Sequence, residues 1–166
     1  MRPVPSIQRR SAAALLTVCA ALPLLTGCSI VESILEGPAP ETPVRETPAA
    51  PEVAPEFVPD GTAEQNLPYF TEVLRAYSEG AQPVKGQPVV DAVAEAGFDR
   101  AAMQVSFDRT GTGLEADNIF VSVRIGGDCL IGQLVTGDRT FTARNEPAVG
   151  PDGDICLIGS TRPVDW

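Results

Sequence analysis

Residues 119–135 read IFVSVRIGGDCLIGQLV, and this stretch decides the fold. Four aliphatic residues alternate with three others: Ile119, Val121, Val123 and Ile125 alternate with Phe120, Ser122 and Arg124. A period of two is typical of a strand that buries one face. Gly126 and Gly127 follow as a tight turn. The stretch therefore predicts an antiparallel hairpin, whose second strand covers residues 129–135.

Two further segments carry a strand pattern. Met103, Val105 and Phe107 alternate with polar residues, which predicts a strand over residues 103–107. The tetrapeptide CLIG of the hairpin recurs at residues 156–159, and we predict a strand over residues 155–161. The segment between the two CLIG copies, residues 138–153, is interpreted as a loop with a short edge strand at residues 140–143.

The segment before the strands has helical spacing. Thr62 and Gln65 form the pattern of a capping box, which predicts a helix over residues 63–78. Pro68 allows an alternative start near Asn66. Five apolar residues share one face of this helix: Leu67, Phe70, Val73, Leu74 and Tyr77.

A second helix is predicted to begin around Pro88 and to end at Gly97, since proline is favoured in a first turn and glycine after a last turn. Its buried members are expected to be Val89, Val90, Val93 and Phe98. Two helices followed by a run of strands predict the α+β class. We expect two N-terminal helices packed on one face of a four-stranded antiparallel sheet.

The N-terminus has the features of an export signal. Residues 1–10 hold three arginines and no acidic residue, and residues 11–25 are uncharged and mostly apolar. This run is shorter than the roughly 20 apolar residues of a membrane-spanning helix. It ends in Leu25-Thr26-Gly27-Cys28, which resembles the lipobox of bacterial lipoproteins. That resemblance implies cleavage after residue 27 and acylation of Cys28 with diacylglyceryl and palmitate-type chains. The alternatives are an uncleaved helix or an ordinary secretory signal.

Maturation in this way divides the chain into three parts. Residues 1–27 are a cleaved signal peptide, residues 28–59 are the lipidated N-terminus with a linker, and residues 60–166 are one small domain. Seven prolines and four glutamates within residues 37–59 predict an extended linker without a core. Two acyl chains give stable anchoring. We therefore expect the domain on the outer face of the cytoplasmic membrane, held there by Cys28.

The four cysteines have different fates. Cys19 leaves with the signal peptide and Cys28 carries lipid, so Cys129 and Cys156 remain. Disulfides persist outside the cytoplasm, and a bridge that closes a loop of about 28 residues contributes roughly 3.5 kcal/mol. We predict a disulfide between residues placed in one buried layer by matched strand alternation. Two buried free thiols are the alternative.

Charge and composition exclude several functions. Loss of three arginines with the signal peptide leaves nine basic against 22 acidic residues, a net charge of −13. Such a surface disfavours nucleic acid and anionic membranes. The chain contains no histidine, which removes most catalytic triads and metalloenzyme sites. We expect no enzyme activity and no cofactor.

Three acidic residues are weak candidates for binding an ion. Asp108 opens a segment with oxygens at alternate positions, like a calcium loop, but Ile119 stands where a bidentate glutamate belongs. Asp152 and Asp154 lie in one short turn. We interpret both segments as polar turns. Asp108 with Asp117 would be the carboxylate pair of a hydrolase, the less favoured interpretation.

The C-terminus ends in Arg162, Asp165 and Trp166. In the structural interpretation, the indole docks on the sheet and the arginine pairs with a carboxylate. In the functional interpretation, these three residues form a binding surface for an envelope protein or a ring-bearing ligand.

Five stretches also carry a family resemblance: NLPYFTEVLRA, GFDRAAMQVS, DRTGTGLEADNIFVSVR, CLIGQ and TRPVDW. In this order they resemble an uncharacterised family of small actinobacterial lipoproteins, with a domain of unknown function over about residues 60–166. The resemblance supports lipoprotein topology and paired cysteines, and it implies no activity. The expected role is a binding or interaction module of the cell envelope, with an envelope protein or a small ligand as partner. The alternatives are a structural spacer or assembly factor, or the carboxylate-based hydrolase.

Overall fold

The computed structural model of the chain describes residues 47–166. The predicted signal peptide, Cys28 and most of the predicted linker lie outside the described residues. Two helices and five strands follow one another in the described part, with a short 3-10 helix (Arg100–Ala102) before the first strand. They are α1 (Ala63–Glu79), α2 (Gly86–Glu95), β1 (Met103–Ser106), β2 (Asn118–Ile125), β3 (Asp128–Val135), β4 (Phe141–Pro147) and β5 (Thr161–Arg162). Neither helix is long and apolar enough to cross a membrane.

The five strands form one antiparallel sheet in the order β4-β3-β2-β1-β5. Helix α1 packs on β3 and β4, and α2 packs on β1 and β2. Both helices lie on the same side of the sheet, which we call the helix face; the opposite side is the back face. The predicted α+β class, with helices on one face of an antiparallel sheet and one disulfide, is confirmed. The sheet has five strands where four were predicted.

The core lies between the helices and the helix face. Its largest fully buried side chains are Phe70, Leu74, Val89, Val90, Val93, Val105, Ile119, Val121, Val123, Leu130, Leu134 and Phe141. Gly132 lies where α1 crosses β3 most closely. A Cβ atom there would stand 2.5 Å from Leu74 Cδ1 and 3.2 Å from Phe70 Cζ. The close approach of α1 therefore requires glycine at this position.

Helix α1 begins where its capping box predicts. Thr62 Oγ1 accepts from the Gln65 backbone N–H at 3.2 Å, and Gln65 Oε1 accepts from the Thr62 backbone N–H at 2.8 Å. The alternative start near Asn66 is wrong, because Pro68 lies inside the helix. The Asn66 side chain is buried instead and exchanges two hydrogen bonds with the backbone of Val58.

Helix α2 begins two residues before the predicted start. Its first residue is Gly86, and Pro88 occupies the third helical position. Proline is tolerated there because the first N–H groups of a helix have no partner within the helix. Asp108 Oδ1 accepts from the Gly86 backbone N–H at 2.6 Å. This bond ties the start of α2 to the segment that follows β1.

Three strand predictions need correction. Strand β1 ends at Ser106, and the Phe107 side chain is 47% exposed rather than buried. Strand β4 is a full strand of seven residues where a short one was predicted. The strand predicted over residues 155–161 is wrong, because only Thr161–Arg162 joins the sheet. The preceding segment turns repeatedly, with positive φ angles at three glycines: Gly150, Gly153 and Gly159.

The second CLIG belongs to a loop on the back face, which we call the disulfide loop (residues 148–160). Gln104 projects from the back face of β1, and its Oε1 accepts from the backbone N–H groups of Cys156 and Leu157 at 3.0 Å each. The predicted Cys129–Cys156 disulfide is confirmed, with both residues buried. A Cβ atom at Gly159 would meet nothing within 4 Å, unlike one at Gly132.

The last part of the predicted linker contacts the helices. The Phe57 ring lies 5.7 Å from the Tyr69 ring and 5.1 Å from the Phe98 ring, between centroids. Arg75 Nη2 donates to the carbonyl oxygens of Pro48 and Ala49 at 2.7 and 2.9 Å. The folded unit therefore includes residues that composition alone assigns to the linker, and the chain joins it on the helix side.

Candidate functional site

The back face carries an open groove of about 620 Å³. Its lining residues come from β1, β2, the β1–β2 loop and the end of the disulfide loop. We call it the back-face groove, and it is lined by Ser106, Phe107, Arg109, Thr110, Gly111, Ala116, Asn118, Phe120 and Ser160. It is larger than a cavity of about 350 Å³ beside Phe57 and Phe98 and one of about 250 Å³ beside Lys85.

Strand geometry places the two aromatic rings of the groove. Phe120 alternates with Ile119 and Val121, which face the helices, so its own side chain faces the back. The Phe120 backbone N–H donates to Ser106 Oγ at 3.0 Å and fixes the two strands at this level. Phe107 follows the last residue of β1 and leaves the sheet partly exposed. The result is an aromatic surface open to solvent.

The β1–β2 loop (residues 107–117) forms one rim of the groove. The Thr110 backbone N–H donates to the Leu114 carbonyl at 2.8 Å, and the Gly113 N–H donates to the Thr110 carbonyl at 2.9 Å. Gly113 has φ of +83°, which glycine adopts readily. The segment that resembles a calcium loop is therefore a turn closed by its own hydrogen bonds.

Of the nine residues that line the groove, Arg109 is the one with a charge. Its side chain is exposed, and Nη1 donates to the Gly113 carbonyl at 3.3 Å, at the long end of hydrogen-bond distances. No carboxylate within the described residues forms an ion pair with it. The groove therefore combines apolar walls with one available guanidinium.

The C-terminal residues form a network on the helix side. Arg162 Nη1 pairs with Asp108 Oδ2 at 3.1 Å, and its guanidinium lies 4.6 Å from the centroid of the Trp166 ring. The indole Nε1 donates to Asp91 Oδ1 at 3.0 Å, and the same oxygen accepts from Arg100 at 2.7 Å. The half-buried Trp166 is thus docked against α2, and Asp165 beside it is exposed.

The candidate ion ligands do not converge. Asp108 uses Oδ1 for the Gly86 N–H and Oδ2 for Arg162. Asp152 and Asp154 lie exposed in the disulfide loop. The contact of this turn with the sheet is a backbone one, in which Gln104 Nε2 donates to the Asp154 carbonyl at 2.9 Å. Within residues 47–166, no group of three or more acidic, cysteine or histidine side chains is placed to hold a metal ion.

The Tyr77 hydroxyl is a buried titratable group with a shifted pKa. Burial raises the pKa of the Tyr77 hydroxyl, the cationic Arg139 lowers it, and Asp91 raises it further. The hydroxyl donates to the Pro83 carbonyl at 2.6 Å. Arg139 also donates to the Tyr77 and Ser78 carbonyls in the last turn of α1 and to the Gln82 carbonyl in the segment after it. These contacts fasten the β3–β4 turn to α1, and they lie away from the groove.

Sequence reasoning missed the groove, although one signal was present. Phe120 is an apolar residue on the otherwise polar side of the β2 alternation. A strand with one wet face has no structural need for an aromatic ring there. The alternation of Met103, Val105 and Phe107 predicts a buried Phe107, and nothing in that pattern indicates the exposure of its ring.

Comparison with known families gives one match. Residues 74–160, more than half of the chain, match a family described as a domain of unknown function (DUF6993). The match covers the last residues of α1, all of α2, strands β1 to β4 and both bridged cysteines. Comparisons with curated proteins and with solved structures give no significant match.

Proposed function

The chain belongs to the DUF6993 family of unknown function, and we propose that it is a lipid-anchored binding module of the cell envelope. In this proposal the back-face groove receives the partner, and acylated Cys28 holds the module on the outer face of the cytoplasmic membrane. The groove supports the binding role, and the signal and lipobox pattern of residues 1–28 supports the anchor.

The groove is the observation on which the binding role depends. Binding sites are concave, mostly apolar and furnished with a few polar groups that orient the ligand. The back-face groove has this combination, with two phenylalanine rings, hydroxyl groups at its edge and one arginine. Phe107 is 47% exposed although its ring gains free energy by leaving water. A bound partner would cover it.

The surroundings of the groove are held firmly. Ser106 joins β1 to β2 beneath Phe120, and Gln104 with the disulfide fixes the loop that ends at Ser160. A site that is formed before binding loses less conformational freedom when the partner binds. This arrangement supports recognition by a preformed surface.

The path of the chain leaves the groove accessible. Residues 48–58 contact α1 and Phe98 on the helix side, and the groove lies on the opposite face of the sheet. The 19 residues from Cys28 to Glu46 would reach about 60 Å in a polyproline conformation. The anchor would therefore not force the groove against the bilayer.

A structural spacer is the alternative that the groove makes less favourable. A spacer requires length and stability, and it has no need of an open cavity with aromatic walls. A carboxylate-based hydrolase would use Asp108, whose two oxygens are already engaged by Gly86 and Arg162. The binding role agrees better with the geometry than either alternative.

Site-specific photocrosslinking in the producing cell tests the binding role. A photoreactive phenylalanine at Ser160 or Thr110 lies at the groove, and the same residue at Glu146 lies on the exposed part of β4 as a control. We expect a discrete adduct from the groove positions and none from position 146. Equal labelling at all three positions, or none at the groove, would contradict the proposal.

The anchor has a separate test. We expect the mature protein to begin at acylated Cys28 in intact mass measurements and to fractionate with membranes. The Cys28→Ser variant should keep its signal peptide or appear in the soluble fraction. A wild-type protein whose mass retains residues 1–27 would refute the anchor and leave the groove unaffected.

A further inference from the structure

The charge of the groove differs in sign from that of the whole chain. The chain has a formal net charge of −10, with 22 acidic against 12 basic residues. The lining of the back-face groove holds one charged side chain, and it is cationic. An acidic protein repels polyanions over long distances. A ligand with a single negative group meets less of this repulsion and gains the local contact with Arg109.

The surroundings of Arg109 leave most of its donors available. A guanidinium has five N–H donors in a planar fork that matches a carboxylate, sulfonate or phosphate. One of them reaches the Gly113 carbonyl at 3.3 Å. Other arginines are neutralised: Arg75 pairs with Glu72, Arg100 with Asp91, and Arg162 with Asp108.

The β1–β2 loop holds the backbone of Arg109 in place. Arg109 pairs with Glu115 across the loop in an antiparallel bridge, and the Ala116 backbone N–H donates to the Asp108 carbonyl at 3.0 Å. The arginine therefore stands at a fixed point of the rim, with the Phe107 and Phe120 rings lining the same groove. A cation at the edge and aromatic walls inside are complementary to an amphiphile.

We propose that the back-face groove binds a small molecule with an apolar body and a single anionic group. Arg109 contacts the anion through charge-assisted hydrogen bonds, and Phe107 and Phe120 pack on the body. This inference rests on the proposed function, because it names the ligand class of the same groove. A fatty acid is the simplest member of the class and serves as the probe.

The test compares two photoreactive probes of equal shape. The full chain in phosphatidylcholine vesicles is labelled with a diazirine-bearing decanoic acid or with the methyl ester of that acid, which lacks the charge. Adducts are mapped by peptide mass spectrometry, and unlabelled decanoate is added as competitor. We expect competable labelling within residues 107–120, with apparent affinity about tenfold higher for the acid than for the ester.

Matched variants assign the effect to Arg109. Arg109→Gln should weaken labelling by the acid about tenfold and leave the ester unchanged. Arg144→Gln removes an exposed arginine of β4 outside the groove and should change neither probe. Equal thermal unfolding of the two variants would show that both remain folded.

The outcomes separate the ligand class from the groove itself. If acid and ester label residues 107–120 equally and Arg109→Gln has no effect, the anionic class is wrong and the groove remains a binding site. If neither probe labels those residues competably, the ligand class is also overturned, and crosslinking from Ser160 decides separately whether the groove binds a partner. If the acid still labels the double variant Phe107→Ser, Phe120→Ser as strongly as the wild type, the binding site lies elsewhere.

Discussion

The two CLIG tetrapeptides have the same four residues and different structures. Cys129–Gly132 lies inside β3, with β2 on one side and β4 on the other. Cys156–Gly159 lies in the disulfide loop and pairs with no strand. In the first copy Leu130 is fully buried on the helix face, whereas the matching Leu157 is half-buried. Ile131 of the first copy is half-buried, whereas the matching Ile158 is 91% exposed. Four identical residues therefore do not define a backbone conformation.

The flanking residues explain the difference. The first copy continues an alternation of apolar residues that begins at Ile119. A two-glycine turn precedes it and places it next to β2 in the sheet. The second is preceded by Gly150 and Gly153, both at positive φ, and its own last residue, Gly159, has φ of +117°. The position of the second copy is set by two contacts with the sheet: the disulfide to Cys129 of β3 and the hydrogen bonds to Gln104 of β1. The comparison leads to four predictions about stability.

The bridge between the two copies should have the largest effect. Replacement of both Cys129 and Cys156 by alanine removes a link between residues 27 apart. We expect a loss of about 3.5 kcal/mol in the free energy of unfolding, because the unfolded chain regains loop entropy. Guanidinium titration measures the loss, and reduced wild type is the control. A loss below about 1 kcal/mol would mean that Gln104 alone holds the disulfide loop.

The leucines of the two copies should differ next. Leu130→Ala opens a cavity in the core and should cost about 3 kcal/mol. Leu157 is only half-buried, on the back face, so Leu157→Ala should cost about 1 kcal/mol. Unfolding midpoints of the two variants provide the measurement. Equal costs would show that the back face is packed as tightly as the core.

The glycines provide a smaller contrast. Gly132→Ala places a methyl group against Leu74 and Phe70, and we expect a loss of about 2 kcal/mol from overpacking. Gly159→Ala meets no neighbour and strains only the positive φ, so about 1 kcal/mol is expected. Thermal unfolding of both variants tests the order. A more damaging Gly159→Ala would imply that the φ angle, and not space, limits the second copy.

The isoleucines should show the smallest effects. Ile158→Ala changes an almost fully exposed side chain and should alter stability by less than about 0.5 kcal/mol. Ile131 is half-buried on the back face of β3, so Ile131→Ala should cost about 1 kcal/mol. The same titrations compare the two. A clear loss from Ile158→Ala would reveal a contact that covers residue 158 in solution.

Local signals predicted the helices and the central hairpin well. The Thr62 and Gln65 capping box fixed the start of α1, and the apolar spacing predicted its buried face. The alternation from Ile119 and the glycine turn predicted the hairpin closely. Strands β2 and β3 each begin one residue before the predicted start, and β3 ends at the predicted residue. These signals depend on residues that are near one another in the chain, so no tertiary information is needed to interpret them.

Strand β4 was underestimated because it is an edge strand. Its sequence FTARNEP has polar residues on both faces, and charged edge residues are common where a strand must not pair further. The pattern therefore carries little alternation. Its pairing with β3 across the whole length became evident only from the structure.

The C-terminal residues show the same limit. Sequence placed an aromatic ring beside Arg162, but the partner of the ring is Asp91 in α2, 75 residues earlier. The groove likewise joins Phe107, Phe120 and Ser160 from three segments of the chain. Neither arrangement has a local signature, because it depends on which distant elements the fold brings together.

The sequence by itself determined the α+β class, the extents of α1 and the central hairpin, and the pairing of Cys129 with Cys156. Periodicity, caps and turns act within a few residues, and the bridge was predicted on the expectation that Cys19 is removed and Cys28 is acylated, which leaves two cysteines to pair. The tertiary structure alone decided that the second CLIG leaves the sheet, that the sheet has a fifth strand and that the back face holds a groove. Those features follow from contacts between residues far apart in the chain, whose free energies depend on the assembled fold.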